Sequence, residues 1–345
     1  MVVYRQRMRI AVGTEKGGYL VDVGSGAVTG PLFPGWKVTA FGRAPDGGHL
    51  AGVGSNWFGA SIYQSPNMVD WAPVEASPTY GETRALSQIW TFHNVGDRVY
   101  AGVSEAGIFV SDDSGQTWTG VDSFNEHRTR DQWMPGAGGL CAHRFLSAAD
   151  RLWVAVSAVG LFRSDDGGAT WNLKDEGVGA TGVPEDTPRP EVGYCVHNVD
   201  HDPGQPDTMW RQDHVGVFRS SNGGDSWERI ENGLPAGFGF VMRRDHSSAR
   251  LFVVPLHSDE NRVPVDRIFR AYVSHDDGDS WEVAGTGWDD APSFTSVLRG
   301  AVDTADDGAL AFGTTGGQVW LTRDAGENWR CLDPVFPRIG AISFL

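Results

Sequence analysis

Ser111-Asp112-Asp113-Ser114-Gly115-Gln116-Thr117-Trp118 sets out a pattern that recurs four more times along the chain. A hydroxyl residue is followed two places on by a carboxylate or amide, two further on by a glycine, and the octet closes on tryptophan. The other copies run from Ser164 to Trp171, Ser220 to Trp227, Ser274 to Trp281 and Thr322 to Trp329. Their closing tryptophans lie 53, 56, 54 and 48 residues apart, the period of a four-stranded propeller blade and not of a helical solenoid. The octet reads as a hairpin turn, because its hydroxyl and acid can bond nearby backbone while Gly115, Gly168, Gly224, Gly278 and Gly326 can take positive φ. An apolar run such as Gly107-Ile108-Phe109-Val110 precedes each turn as a strand, and the tryptophan begins the next strand with a large surface to bury between blades.

Working outward, Ser65-Pro66-Asn67-Met68-Val69-Asp70-Trp71 is a degraded sixth copy, one residue short and lacking the glycine, with its tryptophan 47 residues before Trp118. Ahead of it, Arg9 to Gly13, Gly18 to Asp22 and Ala27 to Thr29 supply three strands without a fourth. At the other end, Ile339-Gly340-Ala341-Ile342-Ser343-Phe344 is a strand without a blade. Joining the two ends closes a ring of seven and hides the sheet edges of an open array. The expected architecture is one all-β domain over 1–345, a seven-bladed propeller of four-stranded antiparallel blades. The blades fall at 9–30 plus 337–345, 36–74, 85–121, 139–174, 191–230, 237–284 and 294–332.

Composition agrees, since 46 glycines and 14 tryptophans suit a turn-rich all-β chain with a large core. A net charge of −16 with no basic run argues against nucleic acid and anionic membranes as partners. The N-terminal residues lack an apolar export core and no stretch has the length of a membrane span, so cytoplasm is the expected location. Cys141, Cys195 and Cys331 are odd in number and lack metal-type pair spacing, so they read as reduced residues.

The octets resemble the Asp-box, or BNR repeat, of sialidases, sortilin-type receptors and two-domain xyloglucanases. That resemblance implies a structural turn on the face opposite the ligand site, and a motif repeated on blade after blade is scaffold. A second resemblance rests on Gly35-Trp36, Ser55-Asn56-Trp57-Phe58-Gly59, Trp133-Met134-Pro135-Gly136-Ala137-Gly138-Gly139-Leu140-Cys141-Ala142-His143, Cys195-Val196-His197, Gly233-Leu234-Pro235 and Phe238-Gly239-Phe240. Over nearly its whole length the chain looks like a bacterial group of intracellular seven-bladed BNR proteins usually labelled exo-α-sialidase or glycosyl hydrolase. It implies a shared pocket without fixing a reaction. Where the group usually has Gln-Asn-His, this chain has Gln212-Asp213-His214, which places a charge where an amide is usual. The sialidase label itself lacks support, because no Arg-Ile-Pro run is present, seven blades exceed the sialidase six, and Arg84, Arg128 and Arg144 read as solvated strand-end residues.

Loop length then separates the two faces. The long connections, such as Glu75 to Arg84, Val121 to Gly138, Asp175 to Glu191 and Leu256 to Asp266, lead into blades or join second to third strands, and both kinds emerge on one face. His143 and His197 occupy equivalent places, each two after a cysteine, and His214 lies on the same face. Three neutral imidazoles there can bind Zn²⁺, Fe²⁺ or Cu²⁺ with an open position, Asp213 or Glu191 adding a ligand or a supporting bond. The alternative is a glycoside hydrolase, which needs two carboxylates flanking a sugar bond, from Glu105, Asp131, Glu191 and Asp213. Trp36, Trp57, Phe58, Trp90, Trp133 and Phe240 are the candidate ligand-stacking residues, with Arg128 as a cation beside them. Against these stand plainer readings: histidines that bond carbonyls, acids that are solvated in a chain with 44 of them, and tryptophans that pack between blades. The expected ligand is a small polar or sugar-like molecule, with a non-catalytic binding propeller as the third possibility.

Overall fold

In the computed structural model, which describes residues 8–55, 57, 59–184 and 187–345, the chain forms seven four-stranded antiparallel sheets arranged as propeller blades. The ring closes as the sequence predicts. Ile339–Phe344 is the innermost strand of blade one and pairs with Arg9–Thr14, setting Ile10 against Phe344 and Val12 against Ile342. Innermost strands of the next four blades are Lys37–Arg43, Gln88–Val95, Cys141–Ala148 and Val196–Asp202. Those of blades six and seven are Arg243–Arg244 and Val297–Thr304. No helix among the described residues is long and apolar enough to cross a membrane.

Each octet folds by the mechanism its residues suggest. Ser111 Oγ donates to Asp113 Oδ1 at 2.7 Å and accepts from the Gly115 amide at 2.8 Å. The Thr117 amide and hydroxyl both donate to the Asp113 carboxylate, at 2.9 and 2.6 Å. Partial burial works against the Asp113 charge, but these bonds outweigh it and hold the carboxyl down at about 2. Gly115 sits at φ +94°, a conformation that penalises a Cβ. The degraded copy keeps the same logic, with Met68 at φ +66° in the glycine's place and its carbonyl accepting from Trp71 Nε1 at 3.1 Å, as Gly115 accepts from Trp118.

The octet tryptophans wedge between neighbouring blades, and Trp171, Trp227, Trp281 and Trp329 are all buried. Inner strands approach too closely for side chains at some points. A Cβ on Gly102, in the second strand of blade three, would lie 2.3 Å from the Ala142 carbonyl oxygen on the innermost strand of blade four, so only glycine lets these two strands meet.

Candidate functional site

The loop-rich face owes its site to a defect repeated in the innermost strands. Pairing between first and second strands slips at one residue in four consecutive blades, skipping Thr39, Trp90, His143 and His197 in turn. Blade seven slips between Val297 and Val302, and blade one at Gly340. A bulge frees a residue from the pleat and re-aims its side chain, and bulges recur at barrel rims beside binding sites. Here they form a ring around the upper end of the axis.

Inside that ring lies a cavity of about 430 Å³ lined by residues of six blades, among them Thr39, Trp90, Phe240, Leu298 and Gly340. Four cations face it, Lys37, Arg262, Arg299 and Arg338, against Glu15 as the one carboxylate of its described lining. Lys37 Nζ is 3.4 Å from Glu15 and donates to Gln88 Oε1 at 3.1 Å, while Arg262 bonds Asp259 Oδ1 at 2.8 Å. Arg299 donates to Ser157 Oγ at 3.1 Å and lies 5.1 Å over the Phe240 ring. Among the described residues neither Arg299 nor Arg338 has an ion-pair partner. Asn198 braces the floor, its amide donating to the Phe240 and Arg299 carbonyls at 3.1 and 3.2 Å. Arg243 is buried on the other side of Asn198, donating to its Oδ1 at 2.6 Å, with burial and nearby Arg144 pulling its pKa down to about 9. Hollows of greater volume lie elsewhere, one of about 760 Å³ beneath blades four and five. It is walled by turns, and its Arg151 is already committed to Asp207 and Asp165.

Beside the cavity, a ligating atom from each of Cys195, His197 and His214 lies within 4.8 Å of the others. This donor set can hold a metal ion. Phe240 packs on His197 at 4.5 Å, and the His197 and His214 rings meet edge to face at 5.6 Å. His197 Nδ1 donates to the Gly239 carbonyl at 2.6 Å, which leaves Nε2 as its lone-pair nitrogen. Burial and then Arg299 hold His197 well below the ordinary imidazole range, so it is neutral.

The expected three-histidine centre is therefore corrected in one member. His143 donates through Nε2 to the Val196 carbonyl at 2.9 Å and is not part of the group; Cys195 takes its place. A buried Nδ1 of His143 has no hydrogen-bond partner, and burial followed by Arg299 keeps that ring neutral. Asp213 is corrected as well. It is fully buried and bound by Arg211, which also bonds Asp175, so the unusual charge is absorbed by an Asp–Arg–Asp triad and not offered to a ligand. Burial raises both acids, Asp175 to about 6.

Glu191 pairs with exposed Arg128 at the surface, and that bond lowers its pKa. Asp131 is exposed on a short turn of 3₁₀ helix, and Glu105 is exposed in the blade-three turn, its carbonyl accepting from Tyr80. None of these three carboxylates lines the cavity. Of the aromatic candidates, Trp90 and Phe240 line it. Trp133 does not, being buried among Phe124, Phe162 and Trp171 with its Nε1 donating to Thr129 at 2.8 Å. Trp36 stands edge-on to Tyr63, Trp57 is 90% exposed, and Phe58 lies outside the described residues. The cations Lys37, Arg262, Arg299 and Arg338 form no motif in the sequence; all but Arg262 sit at the start of an innermost strand, a register that the repeat spacing locates.

No family model matches the chain, and no curated sequence does. Among solved structures, a putative 6-phosphogluconolactonase from Bacteroides fragilis superposes with TM-score 0.59 at 10% identity, covering 100% of this chain and 99% of that one. YCF48 from Cyanidioschyzon merolae gives 0.53 at 11% identity over 90% and 88%. An ancestral GH74 enzyme gives 0.53 at 14% identity, over 89% of this chain and 38% of that one. At such identities the likeness is one of fold.

Proposed function

We propose that the axial cavity binds a small anionic, sugar-like molecule, a sugar acid or sugar phosphate. The observation that carries this reading is the pair Arg299 and Arg338, two cations facing one cavity with no carboxylate partner among the described residues, in a chain of net charge −16. A planar guanidinium matches carboxylate and phosphate oxygens in two-pronged fashion, and half-buried Trp90 offers an apolar face for the ring. A lactonase acting on a phosphorylated sugar is compatible with such a lining. So is a carboxylate-binding site of sialidase type, although no tyrosine stands in the described lining to act as its nucleophile. A two-carboxylate glycosidase fits less well, since Glu15 is the one acid of that lining and it is held by Lys37. With Cys141 and Cys195 free and buried, the cytoplasm remains the inferred location.

The test is a thermal-stability series on the full chain with gluconate, N-acetylneuraminate, glucose 6-phosphate and neutral glucose. A ligand at a hundred times its Kd stabilises by about 2.7 kcal/mol. At least one anion raises the melting temperature and glucose does not. A rise with glucose alone overturns the reading.

A further inference from the structure

The geometry points to a metal site: we propose that Cys195, His197 and His214 bind one divalent ion of the zinc class beside the axial cavity. Three features of the chain build it. The bulge at His197 frees that residue from the pairing of blade five's innermost strand, and Cys195 lies two residues earlier, just ahead of the strand. His214 comes from the turn between that blade's second and third strands, where its amide donates to the Cys195 carbonyl at 3.0 Å and so holds the two segments together. The Gly239 carbonyl fixes the His197 ring through Nδ1, and the Asp259 carboxylate stands 3.6 Å from His214 Nε2. The His197 imidazole thus has an oxygen partner at one nitrogen, the arrangement that orients metal-bound histidines, and the Asp259 carboxylate stands close enough to His214 to supply the second as the ring adjusts.

Donor chemistry chooses the ion. One sulfur and two imidazoles suit Zn²⁺ and disfavour Mg²⁺ and Ca²⁺, which take oxygen ligands. Zinc needs Zn–S of about 2.3 Å and Zn–N of about 2.0–2.1 Å, hence donor separations of roughly 3.3–3.8 Å. The atoms lie within 4.8 Å of one another, so an adjustment of about an ångström completes the site. His214, whose side chain is 23% exposed, has the freedom to make it. Binding deprotonates the Cys195 thiol, the proton passing to solvent, and three protein ligands leave a fourth position open. The site does not depend on the anion-binding reading, because Lys37, Arg299 and Arg338 are not among its ligands.

Cobalt titration of the reduced full-length protein tests it. Co²⁺ is expected to produce a thiolate-to-metal charge-transfer band that Zn²⁺ competes away. Cys195→Ser abolishes the band, Cys331→Ser retains it, and Asp259→Asn weakens binding about 10- to 100-fold. His214→Gln, at a partly exposed side chain, provides a ligand variant that folds even if a change at buried His197 does not. Absence of the band in folded protein, or a band that survives in Cys195→Ser, overturns the proposal.

Discussion

Replacing Arg211 by Met and Asp213 by Asn should have opposite weights, although the two side chains touch. Arg211 and Asp213 are fully buried and Asp175 nearly so, leaving two carboxylates to share one guanidinium. Burial works against the Arg211 charge, but the two acids outweigh it and keep it protonated. Removing Arg211 strands both carboxylates, and breaking a buried pair from one side costs about 3–5 kcal/mol. Asp213→Asn instead leaves Arg211 and Asp175 as a neutral pair. The lost charge-assisted bonds, about 1.5–3 kcal/mol, are offset by a desolvation penalty of several kcal/mol that no longer applies, so the net change is within about 1 kcal/mol. The sign with pH is distinctive. Asp175 rises from 3.8 to about 6, so the folded state holds its proton more tightly than the unfolded chain. That contribution is fully present below pH 3.8 and lost as pH rises through about 6, an effect of about 3 kcal/mol. Burial is the largest cause of the rise and the Asp213 charge a smaller one, so Asp213→Asn should flatten this part of the profile only in part. Urea unfolding of the three proteins between about pH 4 and 8 measures both effects. Equal destabilisation by the two substitutions, with unchanged pH profiles, refutes the reasoning.

Three further outcomes are expected. Asp113→Ala removes an acceptor of four bonds on the face away from the cavity and should cost about 1–3 kcal/mol in urea unfolding while leaving ligand-induced stabilisation intact. Trp133→Ala should behave as a core deletion, costing about 3–5 kcal/mol in the same assay with no change in ligand affinity once folded. Deleting 339–345 removes the innermost strand of blade one and exposes Arg9–Thr14 as an edge; circular dichroism and size exclusion should report loss of the cooperative fold or aggregation.

The parts legible in the sequence are those written locally or periodically. Ser, Asp, Gly and Trp of each octet interact within eight residues, so spacing alone counts the blades, and the orphan strands at the two ends close the ring. The cavity was illegible for the opposite reason. Lys37, Arg299 and Arg338 face one cavity only because the ring brings the starts of distant strands together, Arg262 joins them from a blade-six loop, and no short motif links the four. Asp213 looked available because its second neighbour, Asp175, lies 36 residues before the Arg211 that both share. Trp90 and Trp133 are alike as letters; a bulge turns one toward the axis, while a helical turn packs the other into a core. Cys195 reads from sequence as a reduced cysteine, and its place two residues before a histidine gains meaning only when His214 folds back onto it.

The measurement that bears most directly on the central claim is calorimetric titration of glucose 6-phosphate against glucose, in the native protein and in Arg299→Ala/Arg338→Ala. A charge-assisted bond is worth about 1.5–3 kcal/mol, so the native protein should favour the phosphorylated sugar by at least about tenfold and the double variant should lose that preference. Equal affinity for both sugars in the native protein, or a preference that survives removal of both arginines, contradicts an anion site at the propeller axis.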